Sequence, residues 1–150
     1  MNAASQNLSS YVPRLLSGRL ARGSISRPEA RLDSAAVLLS DIRGFTSLVA
    51  AFTGAGREGL EQLTWVLNRY FADLVEEVYA HGGDVLCIAG DAFLCYWPME
   101  SADDLGDTTL RAAQAGLANQ RRRHARVAVR GHRFSTRIGI SGAPFVIAFV

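Results

Sequence analysis

The stretch VLLSDIRGFTSL, from Val37 to Leu48, decides the fold of this 150-residue chain. Its first half belongs to a run, Ala35–Ser40, that is apolar on both faces, which predicts a central strand of a sheet. The run ends at Asp41, and Gly44 then allows the backbone to turn. A carboxylate at the end of a buried strand needs an explanation, and both a structural and a catalytic one are open.

Outward from this stretch, apolar spacing and turn residues predict elements in the order β-α-α-β-β-α-β. Apolar residues at intervals of three and four indicate helices, and two short apolar runs around Gly90-Asp91 indicate a hairpin with a primed turn. The predicted elements are a strand over Ala35–Ser40, helices over Thr46–Phe52 and Gly59–Ala80, strands over Asp84–Ala89 and Ala92–Trp97, a helix over Asp104–Arg123, a strand over Phe134–Ile140 and another that starts at Phe145.

The same periodicity predicts which helical side chains face the core. In the Gly59–Ala80 helix they are Leu60, Leu63, Leu67, Tyr70, Phe71, Leu74 and Val78. In the Asp104–Arg123 helix they are Leu105, Leu110, Ala113 and Leu117.

This order of elements predicts an α/β (α+β) fold, a ferredoxin-like βααββαβ sandwich whose sheet contains antiparallel strands and carries its helices on one face. We expect residues 33–150 to form this domain. Residues 1–32 hold five arginines and a single acid, Glu29, and we expect a flexible basic lead-in; a transit peptide is a second interpretation. Because the sequence ends inside the apolar run PFVIAFV, we expect the domain to be incomplete at its C-terminus.

Composition excludes some classes of protein. Hydrophobic residues make up 49% and charged residues 20%, which is typical of a globular domain, and no apolar run approaches the ~20 residues of a membrane span. Cys87 and Cys95 have no framework spacing, so we expect reduced thiols in a cytoplasmic protein. All 16 basic residues are arginines, so any chemistry that needs a lysine has to come from elsewhere.

One acid lies at the end of a predicted strand, and a second lies in the turn of the hairpin that we expect to be its neighbour. Asp41 ends the first strand, Asp91 lies in the hairpin turn, and both reach one sheet edge if those strands pair. Two such carboxylates repel unless a cation lies between them, and Mg²⁺ binds carboxylates together with phosphate oxygens. The structural alternatives are that Asp41 caps the next helix and that Asp91 is only a good turn residue.

The loop after Asp41 adds a feature of phosphate sites. Gly44 lets the backbone turn, and Phe45-Thr46 open a helix whose free N–H groups suit phosphate. Arg43 in this loop either reaches a phosphate or is exposed to solvent.

The segments LLSDIRGFTSL, LNRYFADLVEEVYAHGGDVLCIAGDAFLCYW and RIGI together resemble the class III nucleotide cyclase catalytic domain, over about Val37 to Ile140. The likeness is to the soluble adenylyl cyclase branch and its metal-bearing domain. It implies conversion of ATP, favoured over GTP, to 3′,5′-cyclic nucleotide and pyrophosphate, for intracellular signalling. It also implies a second cyclase domain, in the same or another chain, that pairs head to tail.

The resemblance assigns roles position by position. Asp41, Asp91 and the backbone carbonyl of Ile42 would hold two Mg²⁺ or Mn²⁺ ions, near which the deprotonated ribose 3′-hydroxyl attacks the α-phosphorus. Nucleotide contacts would come from Ile42, Gly44, Phe45, Thr46, Cys87 and Gly90.

Three departures from the family pattern accompany the resemblance. The position four before Asp91, which commonly reads the purine, holds Cys87, and Gly142-Ala143 reverses the usual order of glycine. The family's transition-state Asn and Arg lie in a later segment that this sequence lacks. We therefore expect the chain alone to be weakly active or inactive.

Three alternatives stay open. One is a non-catalytic pairing module that regulates a partner. Another is a diguanylate cyclase-like enzyme, although Ala89–Phe93 lacks that family's second turn acid. The third concerns the run of arginines at positions 121, 122, 123, 126, 130 and 133, which suits nucleic acid or a membrane surface or, in the interpretation we favour, a solvated helix end; we therefore expect no nucleic-acid partner.

Overall fold

The computed structural model of the chain describes residues 13–22, 28–124 and 135–149. The elements are α1 (Arg14–Arg22), β1 (Glu29–Ile42), α2 (Phe45–Thr53), α3 (Gly56–Ala80), β2 (Asp84–Ala89), β3 (Ala92–Pro98), α4 (Leu105–His124), which a short 3₁₀ turn (Ala102–Asp104) precedes, and β4 (Thr136–Phe149). From β1 onward their order is βααββαβ, as the sequence predicts.

The four strands form one sheet in the order β2-β3-β1-β4, and every neighbouring pair is antiparallel. β1 is an inner strand, as its two-sided apolar character predicts, and pairs Ala36 with Trp97 and Leu38 with Cys95. The mixed α+β prediction with an antiparallel sheet is therefore confirmed.

The core lies between one face of this sheet and the helices α3 and α4. Leu38, Phe93 and Trp97 on the strands pack in one cluster with Leu74 on α3 and Ala112 on α4. A second cluster of Leu48, Phe52 and Leu63 joins α2 to α3. Burial of these apolar side chains is the main force that holds the layers together.

The predicted inner face of α3 is largely correct. Leu63, Tyr70, Leu74 and Val78 are buried, whereas Leu60 is 48% exposed. A charged residue joins this buried set, since Glu77 lies below the surface with its carboxylate 2.5 Å from Nε of Arg122.

The predicted inner face of α4 is wrong for Leu110 and Leu117. Leu110 and Leu117 are more than half exposed, and Thr108, Ala112 and Ala115 face the sheet instead. The reason is distance, because a Cβ on Gly116 would already lie 3.4 Å from side chains of Leu38 and Ile138. Small residues let the helix approach the sheet closely, and Leu110 and Leu117 then point outward.

The two C-terminal strands that the sequence predicts are one strand, β4. Gly142 and Pro144 look like a break between two runs, but Pro144 pairs across β1 with Ser34. Proline is tolerated here because β4 is an edge strand, where a missing N–H breaks no second ladder.

The segment before residue 33 contains structure of its own. Helix α1 lies against the start of β2, where Leu15 N–H donates to the buried carboxylate of Asp84 at 3.1 Å, and the guanidinium of Arg14 lies 4.3 Å above the ring of Tyr79. β1 already begins at Glu29, because that part pairs with β4 alone. Residues 1–12 and 23–27 lie outside the described residues, and the flexibility of the lead-in stays a prediction.

The sheet face that points away from α3 and α4 is called the open face below. Register places Leu39, Leu94, Cys87 and Gly139 on it, because these residues alternate with the core positions of their strands. In the described ranges, no helix has both the length and the apolar character that a membrane crossing requires.

Candidate active site

Asp41 lies at the end of β1, on the open face. It stands directly opposite Arg137 of β4, and the guanidinium nitrogen of Arg137 is 3.3 Å from Oδ2 of Asp41. The N-cap residue of α2 is Gly44, and no side chain makes a capping hydrogen bond there. The alternative that Asp41 caps α2 is therefore wrong. The Asp41 carboxylate therefore lies on the open face and already forms an ion pair with a cationic side chain.

Asp91 lies in the two-residue turn between β2 and β3, as predicted. Gly90 supplies the positive φ of 65° that the first position of a primed turn needs. The carboxylate of Asp91 does more than favour the turn, because its Oδ2 accepts a hydrogen bond from the N–H of Ile42 at 3.2 Å. The turn acid therefore lies beside the residue that directly follows Asp41.

The loop that follows Ile42 has the predicted turn. Gly44 has φ 74° and precedes the first turn of α2, a left-handed conformation that favours glycine. The N–H groups of the first helical turn have no acceptor within the helix, and α2 has no acidic residue in that turn. Phe45 and Thr46 therefore open a helix end that suits an anion, while the side chain of Arg43 is exposed.

Cys87 lies on β2 with its thiol exposed on the open face. Its orientation depends on an irregularity, since Val85 pairs with Cys95 but Cys87 pairs with the next residue, Leu94. Leu86 is thus an extra residue in β2, a bulge that returns Cys87 to the open face.

The second thiol is unrelated to this edge. Cys95 is buried in the core cluster, and burial, together with the nearby negative charge of Asp84, raises its pKa to about 12. Both cysteines are free.

Arg137 is the site residue that the sequence reasoning missed. It lies inside the motif RIGI, but no spacing rule connects it to Asp41, because the two meet only through the pairing of β1 with β4. Of the arginine run, Arg122 is paired with Glu76 and Glu77, and residues 125–134 lie outside the described ranges.

The donor set at this edge suits a divalent cation. Asp41, Asp91 and the carbonyl of Ile42 offer only oxygen, which is what Mg²⁺ and Mn²⁺ prefer. The ion pair between Arg137 and Asp41 indicates that a positively charged group can bind at this edge. Among the described residues, no group of three or more His, Cys, Asp or Glu side chains gathers to form a larger metal cluster.

Comparison with known proteins points in one direction. No model of a known protein family matches the chain. Over 79 residues, which are 51% of this chain, it is 39% identical to adenylate cyclase type 10 of Rattus norvegicus and 38% identical to that of Homo sapiens. The match spans only 5% of the length of these relatives.

Solved structures share the fold. A bacterial light-regulated adenylyl cyclase matches 95% of this chain and 40% of its own, with a TM-score of 0.72 and 22% identity. The guanylyl cyclase Cya2 matches 79% of this chain and 57% of its own, with a TM-score of 0.60 and 27% identity.

The fold and these relatives define a nucleotide cyclase catalytic domain. The chain has the fold of adenylyl and guanylyl cyclase domains, and the curated proteins that it resembles over half of its length are adenylate cyclases of type 10.

Proposed function

We propose that this chain forms the metal-bearing half of a nucleotide cyclase site. The reaction converts a purine nucleoside triphosphate to 3′,5′-cyclic nucleotide and pyrophosphate, and the name of the type 10 relatives favours ATP as substrate. A second cyclase domain, paired head to tail, completes the site. The protein acts in cytoplasmic signalling.

One observation carries this proposal. The Asp91 carboxylate accepts a hydrogen bond from Ile42 N–H at 3.2 Å, which brings the hairpin acid beside the last residue of β1, directly after Asp41. Asp41 and Asp91 come from separate elements at the same end of the sheet, near the left-handed turn at Gly44.

Asp41, Asp91 and the Ile42 carbonyl would hold two Mg²⁺ or Mn²⁺ ions. When bound, such ions offset phosphate charge and lower the pKa of a nearby hydroxyl. The Asp91 hydrogen bond to Ile42 keeps one carboxylate oxygen occupied and so fixes the direction of the other.

The chain's own groups bind and orient the triphosphate. The N–H groups of Gly44, Phe45 and Thr46 donate hydrogen bonds to phosphate oxygens at the start of α2. Arg137 exchanges its carboxylate partner for a phosphate oxygen, because guanidinium binds both with similar geometry. In the reaction the ribose 3′-oxygen bonds to the α-phosphorus, the bond from that phosphorus to the bridging oxygen breaks, pyrophosphate leaves, and the hydroxyl proton passes to solvent.

A pairing module without catalysis is the second candidate. It is favoured by the Asp41–Arg137 ion pair, which occupies a candidate metal ligand, and by the thiol at position 87. A diguanylate cyclase-like reaction has no such observation in its favour.

The decisive experiment measures cyclic nucleotide formation and nucleotide binding by the full chain with Mn²⁺ and ATP or GTP. Asp41→Asn and Asp91→Asn keep the shape and the hydrogen-bond acceptor but remove the charge. We expect each to lower both signals about 100-fold or more, since a lost metal ligand removes charge stabilisation that is worth several kcal/mol.

Asp107→Asn is the matched control, because Asp107 is an exposed acid on α4. Binding that survives both site substitutions, with no product from the unsubstituted chain, contradicts the cyclase proposal. Metal-dependent binding without product is expected of a half-site measured alone, whereas the absence of product when a second cyclase domain is also supplied supports the pairing module.

A further inference from the structure

Tyr70 on α3 lies on the core side of the sheet, beneath the end that carries the candidate metal ligands. It is 7% exposed, and its phenol oxygen shares a hydrogen bond of 3.3 Å with Oγ of Ser40. Ser40 is fully buried and directly precedes Asp41 in β1. A buried hydrogen bond therefore joins α3 to the residue beside the first candidate ligand.

The ring of Tyr70 contacts the second acid-bearing strand. It stands edge-on to the ring of Phe93 on β3, with 6.4 Å between the ring centroids and 88° between the ring planes. Edge-to-face contacts are directional, because a ring edge is positive and a ring face is negative. Phe93 lies two residues after Asp91. Tyr70 thus contacts both strands next to their acids, one through its hydroxyl and the other through its ring.

These two contacts fall on one cross-strand pair. Ser40 and Phe93 lie directly opposite each other, at the end of the ladder between β1 and β3. Beyond this pair, the carboxylate of Asp91 accepts the N–H of Ile42 at 3.2 Å. The placement of the two acids relative to each other therefore depends on how the Ser40–Phe93 pair is held.

The hydroxyl of Tyr70 has a role that its apolar neighbours cannot fill. Leu38 and Leu74 belong to the same core cluster, and apolar contacts of this kind have no preferred direction. A buried hydrogen bond, in contrast, has a defined length and angle and favours one arrangement of the groups that share it. The bond to Ser40 therefore fixes the end of β1 against α3.

Resting on the proposed function, we propose that Tyr70 is a positioning residue for the divalent cations. Through Ser40 it fixes the direction of Asp41. Through Phe93 it fixes the start of β3, and with it the turn that carries Asp91. Functional groups of a site have to stay within about 0.5 Å of their productive positions, and loss of a group that orients a metal ligand typically costs about 10- to 100-fold in metal affinity.

The test compares two buried tyrosines in the full chain. Tyr70→Phe keeps the ring and removes the hydroxyl. Tyr96→Phe is the matched control, because Tyr96 is also buried and its hydroxyl donates to Asp33 over the same 3.3 Å. Asp33 lies toward the opposite end of β1 from Asp41, so this bond is remote from the candidate ligands.

Mn²⁺ affinity is measured by paramagnetic resonance, with and without α,β-methylene-ATP, and stability by urea unfolding. Both substitutions should lower the urea midpoint by similar amounts, because each removes one buried hydroxyl. Tyr70→Phe should raise the Kd for Mn²⁺ about tenfold, at the lower end of the expected range because it acts through Ser40. Tyr96→Phe should change this Kd less than about twofold.

Ser40→Ala removes the same hydrogen bond from the side of the strand and should weaken Mn²⁺ binding to a similar extent. The double variant should lose no more affinity than either single variant, because groups in direct contact are not additive. Losses that multiply in the double variant would contradict a shared role. If Tyr70→Phe does not fold, Ser40→Ala decides the question, since it leaves α3 unchanged.

The outcomes separate this inference from the proposed function. Equal Mn²⁺ affinity in Tyr70→Phe and the unsubstituted chain overturns the positioning role alone. Equal losses in Tyr70→Phe and Tyr96→Phe also overturn it, because reduced stability would then explain both. Absence of Mn²⁺ binding by the unsubstituted chain, with or without the nucleotide analogue, contradicts the proposed function and the inference with it.

Discussion

Arg137 and Asp41 stand opposite each other across β4 and β1 with 3.3 Å between their charged groups. Both side chains are at least partly exposed, so their attraction is screened by solvent and is worth about 0.2–1 kcal/mol. An attraction of this size lets Arg137 compete with a divalent cation for Asp41 without preventing the cation from binding. Asp41 can therefore exchange Arg137 for a bound cation.

Arg137→Gln should raise the affinity of the nucleotide-free chain for Mn²⁺ about two- to fivefold, since it removes the competing charge. The same change should weaken binding of a Mn²⁺–nucleotide complex, because one phosphate contact is lost. Titration of Mn²⁺ followed by paramagnetic resonance measures the first effect. Arg57→Gln, which breaks an exposed pair with Glu61, is the control, and equal Mn²⁺ affinity in both variants would contradict the exchange.

The thiol of Cys95 links stability to pH. Burial raises its pKa to about 12 in the folded state, from an ordinary value of 9.0. Above pH 9 the unfolded chain therefore loses this proton while the folded chain keeps it, so the stabilisation is complete below pH 9 and is lost as pH rises toward 12.

The free energy of unfolding should then fall by roughly 1 kcal/mol per pH unit between pH 9 and 11 through this group alone. Urea unfolding of the unsubstituted chain and of Cys95→Ala isolates the effect, because other groups titrate in both. Parallel pH profiles of the two proteins would show that the thiol has no such role.

At the scale of elements, the contact between α4 and β4 depends on a residue without a side chain. A Cβ on Gly142 would lie 2.5 Å from Oγ1 of Thr109 and 2.7 Å from Cδ1 of Leu105. Both distances are shorter than atoms tolerate, so the helix would have to move away from the strand.

Gly142→Ala should therefore lower the free energy of unfolding by about 1–3 kcal/mol, which is typical of overpacking. Gly139→Ala on the same strand is the matched control, because a Cβ there meets no atom within 4 Å, and its effect should stay within about 0.5 kcal/mol. Denaturant midpoints measure both. Equal midpoints would mean that α4 does not pack as described.

The elements that sequence patterns predict well are those with local signals. The periodicity of α3 and the glycine turn at Gly90 both depend on neighbouring residues alone. The face of α4 and the continuity of β4 depend on how closely other elements approach, and no pattern within Leu105–His124 or Thr136–Phe149 records that. Of the candidate site, sequence patterns indicate Asp41 and Asp91 as a strand-end acid and a turn acid, whereas Arg137 requires knowledge of strand pairing.

At the scale of the whole molecule, one sheet packs against helices with one face and carries the proposed site on the other. Ser40 points to the core, where its hydroxyl lies 3.3 Å from that of Tyr70, while its neighbour Asp41 points to the open face. A ligand on the open face should therefore stabilise the entire domain, because β1 belongs to both layers.

Mn²⁺ together with α,β-methylene-ATP should raise the melting temperature by about 5–10 °C at ligand concentrations near 100 Kd, where binding contributes about 2.7 kcal/mol. Mn²⁺ or nucleotide alone should raise it much less, because each lacks half of its partners. Differential scanning fluorimetry of the unsubstituted chain and of Asp91→Asn measures this. An equal shift in both proteins would exclude Asp91 from the ligand site.

The bulge at Leu86 has a consequence for how this hairpin tolerates change in length. Because Val85 and Cys87 pair with adjacent residues of β3, Leu86 is surplus to the ladder, and its deletion leaves a regular alternation that still directs the thiol outward. We therefore expect the hairpin of this chain to tolerate loss of Leu86 while Cys87 and the turn at Gly90 keep their orientation. Leu86 is also a suitable position for substitution by a spectroscopic probe, because it takes no part in the pairing of β2 with β3.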